Sequence, residues 1–392
     1  MTGAAVTEIF GTCDPQFNPV KDAFSRNFVI NEEVGAAVSV YMQGEKVVDL
    51  WGGYADERQK VAWQEDTLCA FYSTGKPFVA TSLLRQVDAG RIKLDDPVCS
   101  VWPEFAAAGK EQITFRQLLC HQSGVVAIGN KLPREAAYDW ELMVGEIAAQ
   151  RPWWEPGSRH VYHTHTFGFL VGEAVRRITG LMPGDYLQQE IMGPLGDELY
   201  VGVADEDLGR LAVMARETDF NIPNRPTVSI LDREISDEEK MLVYAVANPP
   251  GTPDGGEGPL RGWQKAQIPA TNGHGTARAI AHFYAVQAMG GEMDGLRLLS
   301  PELLTEATSI QSEGYCPILK RNVKFGLGFQ ITQPDRPFGS SEHSFGHYGN
   351  GGSLGYADPD AGVGFAYVMN YIPRRKQNAR SRDLTEALGS CV

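Results

Sequence analysis

Paired cysteines, a basic stripe and long apolar runs are all missing from this 392-residue sequence, and each absence removes a class of protein. The six cysteines, Cys13, Cys69, Cys99, Cys120, Cys316 and Cys391, are scattered without any C-x-x-C pair. That excludes a disulfide framework and a thiolate zinc site, and reads as the reduced thiols of a cytosolic protein. Cys69 reads as a small buried hydrophobe. A net charge of -14 argues against a nucleic-acid partner and against anionic membrane surfaces. No run approaches the length that spans a bilayer. The first residues, MTGAAVTEIFGTCDPQF, lack a cationic n-region and an apolar h-region, so no signal peptide is expected. No repeat period is visible. What is present, 43% hydrophobic residues and 43 glycines, suits a globular chain with a large core, as one big domain or two interleaved ones.

Residues 36–53 read as a β-hairpin, two alternating runs around Gln43-Gly44-Glu45-Lys46. Near the C-terminus Phe325, Leu327, Phe329 and Ile331 alternate as a strand. A turn at Asp358-Pro359-Asp360-Ala361-Gly362 precedes a largely apolar run from Val363 to Tyr371. Between these ends, residues 78–90, 113–120, 138–150, 166–179, 184–193 and 275–289 carry helical periodicity, and a last helix is expected over about 377–389. Strands at both ends with helices between predict one antiparallel sheet built from the two termini, an α/β arrangement of the α+β type. The expected division is 1–77 with 280–392 as the sheet domain, and 78–279 as a mainly helical region. Residues 203–270, rich in Pro, Gly and acids (DREISDEEK, NPPGTPDGGEG), read as a surface loop that can wall a pocket.

Chemistry first appears at Ser73-Thr74-Gly75-Lys76, just ahead of the apolar run Phe78 to Val87. On a helical start, Ser-x-x-Lys puts a hydroxyl and an amine one turn apart on the same face. A serine is a poor nucleophile until a neighbour takes its proton. Unpaired N–H groups at a helix N-terminus also suit a developing oxyanion. Pro77 fits the first turn, and Gly90 marks the end.

A second segment, Glu155 to Thr164, brings Tyr162 to the entrance of a helix with apolar face Phe167, Leu170, Val171, Ala174, Val175 and Ile178, closed by Gly180. A tyrosine near a cationic lysine can have its phenol pKa lowered and act as a base; equally it can be an ordinary half-buried tyrosine. The third segment is Phe345-Gly346-His347-Tyr348-Gly349-Asn350-Gly351-Gly352-Ser353. Glycines this dense beside a strand mark close backbone or ligand approach, and free N–H groups there could supply half of an oxyanion hole.

In order and spacing, these three segments resemble the serine β-lactamase and penicillin-binding-protein superfamily, and within it the class C β-lactamase-like family VIII carboxylesterases. Thr114 to Gly124 (TFRQLLCHQSG) and Gly346 through Pro359 match as well, so the resemblance spans about residues 15–385. It implies the β-lactamase-like/DD-peptidase fold. It implies that Ser73 is the acyl-accepting nucleophile, that Lys76 and Tyr162 share its proton, with either one the base, and that the backbone N–H groups of Ser73 and Asn350 form the oxyanion hole. His347, Gly349, His163 and Tyr72 are the residues it would bring to the substrate. Two positions depart from the β-lactamase pattern. Thr164 stands where Tyr-x-Asn has its Asn, and His347 replaces the cation that holds the β-lactam carboxylate. A neutral imidazole anchors a carboxylate poorly. Esterase-type relatives show the same kind of replacement, which moves the reading toward an esterase.

Gly351-Gly352-Ser353-Leu354-Gly355 matches the nucleophile elbow, but a strand follows it and no histidine comes after His347, so the triad order cannot be completed. His160, His163 and His165 look metal-like by spacing, yet lack the acid of a binuclear zinc site. His121 reads as a structural histidine. Trp153 and Trp154 suit an acyl pocket or core packing equally.

The expectation is a serine carboxylesterase that cleaves short-chain acyl esters through an acyl-enzyme on Ser73. It needs no metal and no organic cofactor, and its only expected partner is a small-molecule ester. Three alternatives stay open: a β-lactamase, D-amino-acid peptidase or amide hydrolase; an acyltransferase to a natural-product alcohol; and a non-catalytic scaffold. Composition sets no oligomeric state.

Overall fold

The computed structural model describes residues 7–216, 235–249, 261–373 and 379–392. Its centre is a ten-stranded sheet in which every neighbouring pair is antiparallel. The strand order runs Ile9–Cys13, Glu45–Asp56, Gly35–Met42, Val363–Met369, Leu354–Asp358, Phe345–Tyr348, Gln330–Ile331, Arg321–Phe325 and Ser312–Cys316, with Val61–Ala62 paired to Glu45–Asp56. The two ends of the chain meet where Gly35–Met42 pairs with Val363–Met369, from Met42↔Val363 to Ala36↔Met369. The expected hairpin forms because Gln43 and Gly44 take positive φ, +51° and +85°, the mirror-image turn that matches strand twist.

Strand Val363–Met369 explains the apolar run at its position, since every residue in it is buried. Phe365, Tyr367 and Met369 enter one core with Val38, Val40, Val48 and Leu50, covered by helices Asn18–Ile30 and Ala379–Gly389. Ala366 and Val368 enter the larger core on the other face, against helix Ala277–Ala288. A strand covered on both faces has no polar alternation to show.

Two helices on the second face position the candidate site. Lys76–Asp88 buries Phe78, Val79, Ala80, Leu83 and Leu84, and Pro77 occupies its first turn. Thr166–Thr179 packs against it and stops at Gly180, whose φ of +77° is the left-handed cap that glycine adopts without penalty. No helix among the described residues is long and apolar enough to cross a membrane.

Several expectations are corrected. Residues 325–331 do not form one strand: Phe325 ends one strand, Gln330 begins the next, and the two pair with each other. Gly328, at φ +87°, makes the fold-back possible, and a Cβ there would sit 2.1 Å from the Ala80 Cβ. Segment 184–193 splits into helix Pro183–Leu187 and a π-helical turn, Gln188–Met192. The acidic stretch near 237 is not a loop but helix Asp237–Ala247. The Ser236 hydroxyl accepts from the Glu239 N–H, and Asp237, Glu238 and Glu239 complement the helix dipole. Much of the remaining 203–270 loop, including most of NPPGTPDGGEG, lies outside the described residues. The central region also holds a small sheet, Cys69–Ala70, Gly273–Gly275 and Leu199–Val201, whose strands are too short to leave a periodic signal.

Candidate active site

The chain reaches Ser73 through a kink. Tyr72 has φ +51°, an uncommon left-handed conformation for a bulky side chain, costing on the order of 1 kcal/mol. The following 3-10 turn, Tyr72–Gly75, runs directly into helix Lys76–Asp88. The kink buries Tyr72 and Thr74 and leaves the Ser73 side chain between them partly open to solvent. Ser73 is thus the second residue of a helical start, where N–H groups lack an intrahelical acceptor.

Lys76 is fully buried. Its Nζ lies 3.0 Å from Ser73 Oγ, 3.0 Å from the Thr164 carbonyl oxygen and 3.1 Å from the Ala270 carbonyl oxygen. Carbonyls can only accept, so a neutral amine would give its two hydrogens to them and aim its lone pair at the Ser73 hydroxyl. Nζ also sits 4.7 Å from the centre of the Tyr162 ring. Nucleophile-type hydroxyl, amine and phenol therefore stand together at the N-terminal ends of two packed helices.

Tyr162 is buried in an aromatic setting. Its ring lies parallel to Phe325 (centroids 6.1 Å, 9°), 5.1 Å from His121 and 5.9 Å from His347. Its backbone N–H donates to Cys316 Sγ at 3.4 Å. His121 is the wedge beneath it. A Thr114–Gln117 capping box starts helix Phe115–Leu119, and just past its end His121 takes φ +65°. Burial holds the His121 imidazole far below its ordinary pKa.

The third segment is clamped to the Ser73 turn. Ser353 is fully buried, donates to the Phe71 carbonyl at 2.8 Å and accepts from Thr74 Oγ1 at 3.3 Å. Gly349 is pressed into the same contact: a Cβ there would lie 2.3 Å from the Phe71 oxygen and 2.1 Å from Ser353 Oγ. The short turn Asn350–Gly352 follows directly. His347 lies in strand Phe345–Tyr348, and its Nδ1 is 2.7 Å from the Tyr348 carbonyl. Burial, then the nearby Lys76 charge, push its pKa well below the ordinary value, so it is neutral.

His163, expected at the substrate, turns its ring into the protein interior. Its ring is fully buried, with Nε2 2.8 Å from Ser123 Oγ and Nδ1 2.7 Å from the Val161 carbonyl. Burial lowers its pKa to about 3. Tyr72 is nearly as buried, its ring leaning on Trp263 at 6.1 Å. His160 and His165 are buried separately, and no group among the described residues has metal-holding composition. Trp153 and Trp154 pack on a small core that includes Val126, Ala127 and Met241. Thr164 contributes its backbone carbonyl to Lys76, while its hydroxyl finds no partner among the described residues. Sequence reasoning missed Ala270, Cys316 and the role of Ser353. Ala270 acts through a carbonyl that every residue carries, so no residue-type signal exists for it.

A hydroxyl on a buried amine, a phenol beside it, and a glycine-rich segment clamped to the serine's turn define a serine acyl-transfer architecture on an antiparallel sheet. A family model described as Beta-lactamase matches residues 25–388, and the chain belongs to that family. It is an esterase-like serine hydrolase of the family. It is 34% identical over 370 residues to the Esterase/beta-lactamase LipL of Mycobacterium tuberculosis, covering 93% of this chain and 83% of the relative. Among solved structures, a family VIII carboxylesterase superposes with TM-score 0.88 at 35% identity, covering 98% of this chain and 100% of that one. A penicillin-binding-protein homolog from Caulobacter crescentus gives TM-score 0.88 at 36% identity, with the same coverage. D-amino acid amidase from Ochrobactrum anthropi, at 20% identity and TM-score 0.68, shares the fold.

Proposed function

We propose that the protein is a carboxylesterase that cleaves short-chain acyl esters through an acyl-enzyme on Ser73. The observation that carries this reading is the 3.0 Å contact between Ser73 Oγ and a buried Lys76 amine that also reaches the Thr164 and Ala270 carbonyl oxygens. Lys76, with Tyr162 beside it, takes the Ser73 proton as Oγ bonds to the ester carbonyl carbon. The N–H groups of Ser73 and Asn350 receive the oxyanion. When the C–O bond breaks, the same proton passes to the departing alkoxide, and an alcohol leaves. Water then attacks the acyl-enzyme, gives a proton back through the same groups, and frees the carboxylic acid and Ser73. Named relatives, an esterase/beta-lactamase and a family VIII carboxylesterase, support an ester substrate. So does the neutral His347, which offers no cation to a β-lactam carboxylate.

The test is hydrolysis of p-nitrophenyl butyrate by the wild type and by Ser73→Ala. The reading expects turnover by the first and a loss of about three orders of magnitude in the second. Equal rates would remove Ser73 from the mechanism. A chromogenic cephalosporin cleaved faster than the ester would favour a lactamase instead.

A further inference from the structure

His347 occupies the position where the β-lactamase pattern has a cation, and it is neutral. Its protons are also placed. Nδ1 sits 2.7 Å from the Tyr348 carbonyl, which can only accept, so Nδ1 carries the hydrogen and Nε2 carries a bare lone pair. That Nε2 is buried and has no hydrogen-bond partner among the described residues, in a residue only 1% exposed. A buried acceptor left unmade costs about 1–3 kcal/mol, and natural proteins keep few of them without a reason.

Its direction is set by the strand. Phe345 packs on Phe329 in the larger core, on the sheet face that carries the Lys76 helix. His347, two residues on, shares that face, while Tyr348 stacks on Phe338 on the other. The His347 ring is 5.9 Å from Tyr162. Tyr162 and Lys76 handle the proton that returns to the departing oxygen, so the alcohol part of the ester must lie within their reach. His347 therefore lies on the side of the site where the departing oxygen is protonated.

We propose that His347 Nε2 accepts a hydrogen bond from a hydroxyl on the substrate's alcohol part, making monoesters of diols or polyols the preferred substrate class. The cation of the β-lactamase pattern calls for an anion there; this site calls for a donor and repels a carboxylate, lone pair against lone pair. The inference rests on the esterase reading above and adds the chemistry of the leaving group to it.

Three butyrate esters of similar size separate the possibilities: propyl butyrate, 2-hydroxyethyl butyrate and carboxymethyl butyrate, each followed by titration of released acid. The wild type is expected to turn over the hydroxyethyl ester with kcat/KM about tenfold above the propyl ester, and the carboxymethyl ester worst of all. A site built to pair a substrate hydroxyl discriminates strongly against its absence. His347→Phe, a flat ring without the lone pair, is expected to bring the hydroxyethyl/propyl ratio down to about one. His347→Gln, whose side-chain oxygen can reach the Nε2 position, is expected to restore it. The wild-type ratio decides the matter even if a variant fails to fold. Ser73-dependent hydrolysis with a ratio near one, or a preference for the carboxymethyl ester, overturns the proposal and leaves the esterase reading standing. Failure of all three esters together with p-nitrophenyl butyrate overturns both.

Discussion

Ser353 Oγ donates a hydrogen bond to the Phe71 carbonyl at 2.8 Å, tying the third segment to the residue two places before Ser73. This is the serine of the Gly-x-Ser-x-Gly match, and its burial makes it a tether. Ser353→Ala leaves the Phe71 carbonyl and Thr74 Oγ1 short of one partner each, a cost of about 1–3 kcal/mol. Urea unfolding should show that loss, while a fluorophosphonate should still label Ser73 in the variant. Loss of labelling with the fold intact would return Ser353 to the list of nucleophiles.

Gly349→Ala tests the same junction from its other side. The new Cβ would lie 2.3 Å from the Phe71 carbonyl oxygen, and backbone cannot swing away as a flexible side chain can. Either the Ser73 turn or the Asn350 turn must shift. Misplacing a reacting group by about 1 Å costs roughly two orders of magnitude in rate. The expected outcome is a fall in kcat of about that size with KM changed far less, read from steady-state ester kinetics.

Lys76 and Tyr162 should separate in stability even where both lose activity. Lys76→Ala removes the amine and strips the Thr164 and Ala270 carbonyls of their donor, so activity falls about a thousandfold and stability by about 1–3 kcal/mol. Tyr162→Phe keeps the ring that packs against Phe325 and His121. Its activity should fall by about two to four orders of magnitude with stability nearly unchanged. Matched denaturation and rate measurements on the two variants check the contrast.

These residues also mark what a sequence can reveal. Ser73 and Lys76 are legible because three residues of helix fix their separation, whatever the rest of the chain does. Helix Thr166–Thr179 is legible to its last residue because Gly180 is a cap with one conformational reason to be there. The sheet's closure of N- and C-terminal strands follows from two hairpin-like regions at the two ends. The carbonyls of Thr164 and Ala270 leave no trace in residue type. The direction in which His163 points is equally silent, since one residue's step along an irregular segment turns a ring from cleft to core. The acidic helix Asp237–Ala247 was hidden by composition, because acids at a helix start and acids in a loop look alike until the Ser236 cap is noticed.

Acid should destabilise the protein earlier than its carboxylates alone would. Five of its eight histidines, His121, His160, His163, His274 and His347, have pKa values lowered by burial, His163 to about 3 and His274 to about 4. For each, the unfolded chain binds a proton near pH 6.5 that the folded chain refuses. Their contribution is complete above pH 6.5 and is lost as pH falls toward the folded values, at up to about 1.4 kcal/mol per pH unit for each fully engaged group. His343 opposes them weakly, because Asp360 raises its pKa at the surface. Urea midpoints measured from pH 7.5 down to 5 should fall steadily below 6.5. His274→Gln should flatten that slope by up to one proton's worth, and an unchanged slope would mean His274 titrates normally.

The buried pair Glu33 and Arg380 joins the end of the first helix to the C-terminal helix. Arg380 Nη1 lies 2.7 Å from Glu33 Oε1, and Tyr367 donates to Glu33 Oε2. Arg380 Nη2 also reaches the Tyr371 carbonyl at 2.9 Å and the Gly351 carbonyl, next to Asn350, at 3.4 Å. Removing one partner strands a charge where water cannot reach it, at a cost of about 3–5 kcal/mol. Arg380→Met should therefore destabilise by that amount, although the new side chain fills much of the same space. Removing both charges avoids the stranded ion, and apolar replacements of buried pairs are often neutral. Glu33→Leu with Arg380→Met should thus recover most of the stability lost by Arg380→Met alone. If the double variant is as unstable as the single one, the backbone carbonyls of Tyr371 and Gly351, rather than Glu33, are the groups that need the guanidinium. In that case catalytic efficiency should stay low in both variants, because the Asn350 turn loses its support from behind.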